Sequence, residues 1–311
     1  MDFRELSYVL AIAKHQNITK AAEALYVGQP TLSKFLMALE DDLGLKLFRK
    51  LGHKYVLTYA GERYVEKATQ ILNLKNDLDA EMADIIKRDV GVLNVAFANM
   101  RCSYMLPCTL PAFHEMHPNV KVNVYEGTSD ENDRRLLDGQ VEIAFYSITN
   151  IVNTNSLIAY ESLAKEELLI CTCKDHPIGR FSKPNPASSY PKLELSQLKN
   201  EQIIMMHPEQ RTRQIMDSIL AENKIQFDNV LYTGNLQAIM DLVSLGYGIS
   251  FVFESHLKHR AETRPIDCYS FGEPRVLCDF VAATRKGSYL PRYALDFIEI
   301  ARRSVSDSAI S

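Results

Sequence analysis

The chain has 311 residues, of which 35 are Lys or Arg and 39 are Asp or Glu, so its formal net charge is −4. That length exceeds what one hydrophobic core usually organises and predicts two or three domains. The start of the chain lacks the basic and apolar pattern of an export signal, and no run approaches about 18 apolar residues, so we expect a cytoplasmic protein with no membrane partner.

The charge is unevenly distributed along the chain. Residues 1–60 hold eight Lys or Arg and six Asp or Glu, a net of +2, whereas the remainder holds 27 basic and 33 acidic residues, a net of −6. A head that attracts polyanions, attached to a body that does not, is typical of a protein with a separate DNA-facing region.

Residues 19–50 predict two helices separated by a turn. Thr19 is a favourable N-cap for the first helix, and a break follows at Val27-Gly28. Pro30 suits the first turn of the second helix, where backbone N–H groups lack partners, and Gly44 suits the position just past its end. The pattern indicates a helix-turn-helix.

The second helix carries an apolar stripe on one side and hydrogen-bonding side chains on the other. The stripe recurs at spacings of four, three and four, as packing requires: Leu32, Leu36, Leu39 and Leu43. Short polar side chains suit base edges and phosphates in a major groove. With Thr19 from the first helix, the candidate DNA contacts here are Gln29, Pro30, Thr31, Ser33 and Lys34. An ordinary amphipathic surface helix is the alternative.

A basic turn after the second helix favours DNA binding over that alternative. Gly52 lies between two strand-like segments, residues 45–48 and 55–57, with Lys46 nearby. The turn adds four candidate DNA contacts: Arg49, Lys50, His53 and Lys54. A basic β-hairpin beside a helix-turn-helix is a winged helix, whose tip can grip phosphates or enter a minor groove. We therefore expect this region to bind double-stranded DNA.

Residues 1–60 resemble the DNA-binding domain of LysR-type transcriptional regulators. The resemblance is carried by an opening helix from Leu6 to Ala13, Ala21-Ala22, Gln29-Pro30-Thr31-Leu32-Ser33, Leu43-Gly44-Leu45-Lys46-Leu47-Phe48 and Thr58-Tyr59-Ala60-Gly61. Gly28 and Lys34 depart from the serine and arginine that are usual in the family. The resemblance implies a sequence-specific transcriptional regulator.

A regular heptad pattern follows the wing over residues 58–88. Its members alternate spacings of three and four, with Lys75 as the single charged one: Gly61, Tyr64, Ala68, Ile71, Lys75, Leu78, Met82 and Ile85. Such a seam favours pairing with a partner helix, and a helix packed on its own domain is the alternative. The resemblance implies a linker helix that forms a homodimer, so that two recognition helices can read two half-sites, and dimers that pair into a homotetramer.

From Val92 onwards, short strands alternate with helices. The predicted strands are residues 92–98, 120–124, 143–146, 168–173, 203–206, 230–233, 249–253 and 276–284. The predicted helices are one through residues 110–116, one capped by Ser129 and reaching Leu137, and residues 210–223, 235–245 and 289–302. This alternation predicts a mostly parallel sheet with helices on both faces.

The expected fold is therefore multi-domain and has three parts. An α-rich winged helix-turn-helix spans residues 1–58, and a long linker helix spans residues 59–89. Two α/β lobes resembling periplasmic binding proteins follow, with lobe I at residues 90–163 and 269–311 and lobe II at residues 164–268. A crevice between two such lobes suits a small ligand. Phe253 stands where the family often has proline.

The resemblance also places contacts to a small-molecule effector. They fall after the first strand, at the Gly-Thr-Ser turn and at the first helix of lobe II: Asn99, Met100, Arg101, Thr128, Ser129, Gln210, Arg211 and Thr212. Independently of the family, hydroxyls and free N–H groups at helix N-termini bind anions, and Arg101, Arg211 and Arg213 would add positive charge. We expect an anionic effector such as a carboxylate. For each arginine, a surface charge or a partner for Asp130 or Glu131 is the alternative.

No catalytic or metal site is predicted, and no cofactor is expected. His114 and His117 have no nucleophile or carboxylate at a catalytic spacing, and phosphate-binding glycine loops and His-Glu-x-x-His are absent from the sequence. The six cysteines lie in apolar or strand-like contexts, which indicates free thiols. Cys171 and Cys173 share one face of a predicted strand but lack a second ligand pair for zinc. A redox-sensing cysteine pair, and a small-molecule receptor without a DNA role, are less favoured alternatives.

Overall fold

The structure is a computed structural model that describes residues 2–86, 90–98, 101–149, 154–258 and 264–307. Residue contacts divide the chain into two compact units. The first unit comprises residues 1–87 with 288–290, and the second comprises residues 88–287 with 291–311. Within the described ranges, no helix is both long and apolar enough to cross a membrane.

The first unit contains three helices, a two-stranded hairpin and a long helix. Their bounds are α1 Phe3–His15, α2 Ile18–Ala24, α3 Gln29–Leu43, β1 Phe48–Leu51, β2 Lys54–Leu57 and α4 Tyr59–Ile85. One core joins the three short helices to the start of the hairpin, and its buried members include Val9, Ile12, Ala21, Ala22, Leu32, Leu36, Leu47 and Phe48. The predicted winged helix-turn-helix, followed by a long helix, is confirmed.

Two local predictions in this unit are wrong. Asn17, not Thr19, caps α2, because the Asn17 side chain accepts hydrogen bonds from the backbone N–H groups of Thr19 (2.9 Å) and Lys20 (3.1 Å). Thr19 therefore lies within the first helical turn. Both residue types are good N-caps, so the sequence alone did not separate two candidates two positions apart. The first wing strand covers residues 48–51, not residues 45–48.

A buried carboxylate explains the shift of that strand. Glu40 is 7% exposed, and its Oε1 accepts hydrogen bonds from the backbone N–H groups of Leu47 (2.9 Å) and Phe48 (3.1 Å). Lys46 Nζ lies 2.9 Å from the other carboxylate oxygen. Because the N–H groups of Leu47 and Phe48 are bound to α3, the hairpin ladder begins only at Phe48. Glu40 thus fixes the wing to the recognition helix.

The exit from the wing is equally constrained. Thr58 caps α4 by accepting a hydrogen bond from the backbone N–H of Gly61 (3.0 Å), and its hydroxyl donates to the carbonyl oxygen of Lys46 (2.7 Å). A Cβ atom at position 61 would lie 2.0 Å from the carbonyl oxygen of Leu47. The Thr-x-x-Gly motif therefore marks a place where α4 passes too close to the chain entering the wing for any side chain.

The predicted seam on α4 is buried at the start of the helix and exposed further along it. Tyr64 packs against the core of the helix-turn-helix and Ala68 is 1% exposed, so the start of the seam is buried within its own unit. From Ile71 onwards the seam is open, with Leu78 at 55% and Ile85 at 66% exposure. The first half of the helix thus fits packing on its own domain, and the exposed second half fits pairing with a partner helix.

The second unit is built on a nine-stranded sheet, counted over the described residues. Its elements are β3 Gly91–Ala98, α5 Cys102–Met116, β4 Val120–Gly127, α6 Ser129–Leu137, β5 Ile143–Ile148, β6 Ile158–Cys173, β7 Ile203–Met205, α7 Arg211–Glu222, β8 Val230–Tyr232, α8 Leu236–Ser244, β9 Ile249–Phe253, α9 Glu254–Lys258, β10 Ile266–Tyr269, β11 Leu277–Arg285 and α10 Arg292–Asp307. Two 3₁₀ turns, Pro177–Phe181 and Leu195–Leu198, lie between β6 and β7.

The sheet is mixed, and not mostly parallel as predicted. The strand order is β4-β3-β5-β11-β6-β9-β7-β8, with β10 also paired to β6. Strands β3, β4 and β5 of lobe I are parallel to one another, and so are β7, β8 and β9 of lobe II. Strands β6 and β11 run antiparallel to the neighbours with which they pair. The prediction therefore holds for three strands of each lobe and fails for β6, β10 and β11.

Strand β6 is ten residues longer than predicted, and β10 and α9 were not predicted at all. The first part of β6 pairs with β11 in lobe I, and its last residues pair with β9 and β10 in lobe II. Only residues 168–173 have a strand-like sequence, because the preceding segment carries Glu161, Lys165, Glu166 and Glu167. A break in register between Phe280 and Val281 marks a bulge in this long pair.

Helices α5 and α10 begin eight and three residues away from their predicted starts. Helix α5 begins at Cys102 and includes Pro107 and Pro111, although prolines inside a segment usually end a helix. Helix α10 begins at Arg292, three residues after the predicted start. Residues 288–290, which precede it, belong to the first unit, where the Tyr289 hydroxyl donates to Asp84 (2.7 Å).

Candidate functional site

The first unit presents the predicted DNA contacts on its surface. Leu32 and Leu36 turn α3 into the core and leave the opposite side of the helix outside. Gln29, Pro30, Thr31 and Lys34 are exposed on that side, Ser33 is half-buried, and Thr19 is exposed on α2. Gly28 caps α3 without a side-chain hydrogen bond, and Gly44 ends it in the left-handed conformation, as predicted.

The wing presents its four predicted basic residues as well. Arg49 and Lys50 lie on β1, opposite Val56 and Tyr55, while His53 and Lys54 form the tip and the start of β2. All four are exposed, and Lys50 Nζ lies 6.0 Å from the Tyr55 ring. Lys46 differs, because its ammonium is bound to Glu40. The exposed cations therefore cluster on one hairpin beside α3.

Tyr26 is a surface residue that the sequence interpretation missed. It lies in the turn between α2 and α3, is 97% exposed, and adopts a left-handed conformation with φ of 56°. That conformation is unfavourable for a bulky side chain. The sequence signal that could have identified it is a large aromatic residue in a short turn, two positions before the Gly28 cap, where a small polar residue would be usual.

In the second unit, the described effector candidates gather around one cavity between the lobes. The cavity measures about 30 Å³, and candidates from both lobes line it: Arg101, Thr128, Ser129, Gln210, Arg211 and Thr212. Ala98, Ser147, Phe253 and His256 complete the lining. Asn99 and Met100 lie outside the described residues. The six described candidates, separated by up to 111 residues in the chain, are thus brought together.

Helix α6 supplies the lobe I wall of this cavity. Thr128, rather than the predicted Ser129, is its N-cap: the Thr128 hydroxyl accepts from the backbone N–H of Glu131 (3.2 Å), and the Glu131 carboxylate accepts from the backbone N–H of Thr128 (2.7 Å). Ser129 is therefore not needed as a cap. Its hydroxyl is buried at the cavity and has no hydrogen-bond partner among the described residues.

Helix α7 supplies the wall from lobe II. Its N-cap, Gln210, makes no side-chain cap hydrogen bond, so the first turn keeps free backbone N–H groups close to buried Thr212. The Arg211 guanidinium lies 3.1 Å from the side-chain oxygen of Gln214 and 3.5 Å from the carboxylate of Asp130. Arg211 Nε is buried and has no partner within the described ranges. Two helix N-termini and unused donors therefore face one small space.

Arg101 is bound to a partner that the sequence did not suggest. It is 2% exposed, and its guanidinium forms an ion pair with Glu166 and hydrogen bonds with Ser147 and Tyr104. Ser147 Oγ also donates to Glu166 (2.7 Å). The ring of Phe280 lies 4.2 Å from the guanidinium carbon. The positive charge of Arg101 is therefore already neutralised at the floor of the cavity.

The other arginines are also engaged. Arg213 pairs with Asp217 on the same helix (2.6 Å) and stacks on Tyr232 at 4.9 Å, away from the cavity lining. The predicted alternative of a pairing with Asp130 fits Arg211. The remaining attraction for an anion comes chiefly from the helix N-termini. In the described part of the chain, no group of three or more His, Cys, Asp or Glu side chains could hold a metal ion.

The contacts around Glu166 connect the two lobes. Ser255 on α9 donates to Glu166 and accepts from Arg101 (3.1 Å), while Ser147 reaches the same carboxylate from β5. Burial alone would raise the pKa of Glu166, but the charge and hydrogen bonds of Arg101 outweigh it and hold that pKa below its usual value. The sequence showed no sign of this network, because its members lie far apart in strands and short turns.

The first unit thus defines a winged helix-turn-helix protein, and the second a two-lobed domain with a small cavity that both lobes line. The family model described as "Bacterial regulatory helix-turn-helix protein, lysR family" matches residues 3–62, and the one described as "LysR substrate binding domain" matches residues 87–306. The chain belongs to the LysR family of DNA-binding transcriptional regulators, with an N-terminal helix-turn-helix domain and an effector-binding domain.

Individual relatives agree over most of their length. A probable RuBisCO transcriptional regulator from Trieres chinensis is 26% identical over 88% of this chain and 87% of its own. The HTH-type transcriptional regulator cbl from Klebsiella aerogenes is 26% identical over 98% and 94%. Among solved structures, a full-length OxyR variant from Pseudomonas aeruginosa has a TM-score of 0.71 at 22% identity over 98% and 94%. CbnR complexed with its target DNA has a TM-score of 0.58 at 25% identity over 98% and 100%.

Replacing Glu166 by glutamine should destabilise the second unit by about 3–5 kcal/mol, because Arg101 would keep a buried charge without its counter-ion. Glu161→Gln is the matched control. Glu161 lies on the same strand and pairs with Arg302 but is 57% exposed, so its loss should cost less than about 1 kcal/mol. Urea unfolding at pH 7 measures both values, and equal, small losses would contradict the assigned role of the buried pair.

In the same variant, the free energy of unfolding should also depend less steeply on pH under acidic conditions. Since the folded-state pKa of Glu166 is lowered, its contribution is complete above the unfolded value of about 4.3 and is lost as pH falls through the folded value. Below about pH 4, the free energy of unfolding should therefore fall more steeply for the unmodified protein than for Glu166→Gln.

Proposed function

We propose that this regulator reads DNA with α3 and the wing, and that a small anionic effector in the crevice changes how a pair of such heads engages its site. The observation that carries the effector part is the convergence of two helix N-termini and unused donors on one cavity.

The proposed DNA contacts divide into two chemical groups. Gln29, Thr31 and Ser33 offer uncharged donors and acceptors that suit base edges in a major groove, and Lys34 on the same side offers a point charge for phosphate or guanine. The wing residues Arg49, Lys50, His53 and Lys54 would hold phosphates or the minor groove. Because one head has a net charge of only +2, useful affinity requires two heads on one duplex.

We propose that the second half of α4 pairs with the same helix of another chain. Its exposed apolar residues recur at spacings of three and four: Ile71, Leu74, Leu78, Met82 and Ile85. Lys75, predicted within the seam, pairs instead with Asp79 one turn along, and Leu74 beside it is 70% exposed. Such a stripe would be buried in a homodimer. The homotetramer that the resemblance implies stays a prediction.

The effector is proposed to be a small carboxylate or similar anion. Backbone N–H groups in the first turns of α6 and α7 carry partial positive charge, and the Ser129 hydroxyl and Arg211 Nε add donors. Arg101 contributes little net charge, because it is paired with Glu166. A cavity of about 30 Å³ has room for only a few atoms, so a larger effector requires the lobes to separate.

Regulation would then follow from linkage. An anion that contacts α6 of lobe I and α7 of lobe II binds one arrangement of the lobes better than another, and it biases the assembly by that difference in affinity. We also propose a cytoplasmic location, where the target DNA would be met, and a role as a regulator without enzymatic activity, as is general for the family.

Lys34→Ala should weaken binding to a duplex carrying the chain's own upstream region, and the slope of log K against log salt should become shallower by about one per head. Lys67→Ala is the matched control, since it removes an exposed lysine from α4, outside the proposed interface. Fluorescence anisotropy across a salt series, with random duplex as competitor, measures both. Indistinguishable slopes for the two variants would count against the proposed interface.

Leu78→Asp should shift the protein from dimer to monomer, because a carboxylate would have to be buried in the apolar stripe. Asn76→Asp adds the same charge at an exposed position off the stripe and should leave the dimer intact. Sedimentation velocity over a range of concentrations measures both. A stable dimer of Leu78→Asp would place the pairing surface elsewhere.

Acetate at constant ionic strength should raise the melting temperature, and acetamide, its neutral analogue, should not. Ser129→Ala and Thr212→Val should each reduce the acetate effect. Ser218→Ala, on α7 but bonded to the Gln214 carbonyl (3.1 Å) and outside the cavity lining, should retain it. Differential scanning fluorimetry gives the comparison. Equal shifts with acetate and acetamide would show that the crevice does not select for negative charge.

A further inference from the structure

Two cysteines that are distant in the sequence face each other across a pair of strands. Cys171 on β6 and Cys268 on β10 are direct partners in the antiparallel ladder, and their sulfur atoms are 3.7 Å apart. All six cysteines lie in the described ranges, and none of them forms a disulfide in the structure. Cys173, which shares a strand face with Cys171, is opposite Ile266 instead. The relevant pair is therefore between strands, 97 residues apart in the chain.

The backbone already satisfies the geometry of a bond between them. Directly opposed residues of an antiparallel pair have Cα atoms about 4.5–5.5 Å apart, within the range of about 4.4–6.8 Å that disulfides use. Bringing the two sulfur atoms into bonding distance therefore requires side-chain rotation and a small strand adjustment. It does not require the lobes to move, since both cysteines lie on parts of these strands that belong to lobe II.

The surroundings of the pair separate it from the other cysteines. Cys171 is buried in a cluster with Ile239, Met240 and Val243, whereas Cys268 is half-buried at the edge of that cluster. Cys102 is buried in lobe I, where burial raises the pKa of its thiol to about 12, and Cys108 is exposed on α5. Cys268 thus combines partial access from solvent with a second thiol 3.7 Å away.

We propose that Cys171 and Cys268 form a reversible intramolecular disulfide, with a peroxide as the oxidant. The Cys268 thiolate attacks one peroxide oxygen, the O–O bond breaks, and water leaves after protonation, so Cys268 becomes a sulfenic acid. The Cys171 sulfur then attacks the Cys268 sulfur, the S–O bond breaks, and a second water leaves. Two thiols and one hydrogen peroxide give one disulfide and two water molecules, and a dithiol reverses the change.

The bond would restrain lobe II next to the effector crevice. Cys171 follows Glu166 by five residues on β6, and Cys268 lies on the strand that follows α9, which carries Ser255 and His256 of the cavity network. A disulfide would join β6, which carries Glu166, to β10, which follows α9 in the chain. It would also close a loop of about 97 residues, which stabilises the folded state by restricting the unfolded chain.

The test uses the intact protein and hydrogen peroxide, followed by alkylation of the remaining thiols, proteolysis and mass spectrometry. We expect two thiols lost per chain, a cross-linked peptide joining residues 171 and 268, full reversal by dithiothreitol, and a melting temperature higher by roughly 5 °C. Cys171→Ser and Cys268→Ser should each abolish the cross-link, and Cys108→Ser should leave it unchanged.

Three outcomes would overturn the proposal. The first is complete alkylation of both Cys171 and Cys268 after peroxide treatment, and the second is oxidation confined to Cys108 or to a disulfide between chains. The third is a cross-link between Cys171 and Cys173, which would contradict the assigned pair. All three are observed on the unmodified protein, so the result does not depend on whether a serine variant folds.

Discussion

The buried ion pair between Arg101 and Glu166 is the constraint on which the effector domain depends. Removing two charges from water costs several kcal/mol for each ion, and mutual attraction offsets that cost only when the remaining donors and acceptors are also satisfied. Here Ser147 from lobe I and Ser255 from lobe II complete the shell. The pair therefore holds both lobes at the floor of the crevice, and it leaves that floor nearly neutral. The positive partial charge that faces the crevice is then that of the helix N-termini above it.

A second buried carboxylate, that of Glu40, stabilises the DNA-binding unit. Glu40 binds backbone N–H groups at the start of the wing, so the position of the basic hairpin relative to α3 is set by hydrogen bonds as well as by apolar packing. The close passage of α4 at Gly61 fixes the same junction from the other side. Hydrogen bonds and close packing consequently join the recognition helix, the wing and the start of the linker helix within this unit.

The elements with strong local signals could be predicted from the sequence, and the long-range contacts could not. Pro30 and Gly44 gave the correct bounds of α3, and the apolar run Ile249–Phe253 gave β9, because propensity and pattern agree there. The N-caps of α2 and α6 are Asn17 and Thr128, but they were predicted at Thr19 and Ser129. Good capping residues stand close together in both segments, so the sequence did not distinguish them. The partner of Arg101 was beyond prediction, because Glu166 lies in a charged stretch that becomes a strand only by pairing with β11. The residues of the crevice were found through family resemblance, whereas their hydrogen bonds needed coordinates.

The long strand β6 has a consequence for how such domains can be recombined. The chain leaves lobe I along β6 and returns along β11, so lobe II is inserted within lobe I and is not appended to it. Transplanting lobe II from a relative would require two junctions, both inside a continuous ladder of paired residues. Junctions at directly opposed positions, such as Ala164 and Phe280, would keep the ladder in register, whereas independent cuts would shift every side chain on one strand to the wrong face. Lobe II can therefore be exchanged between relatives when the two junctions are chosen as directly opposed positions on β6 and β11.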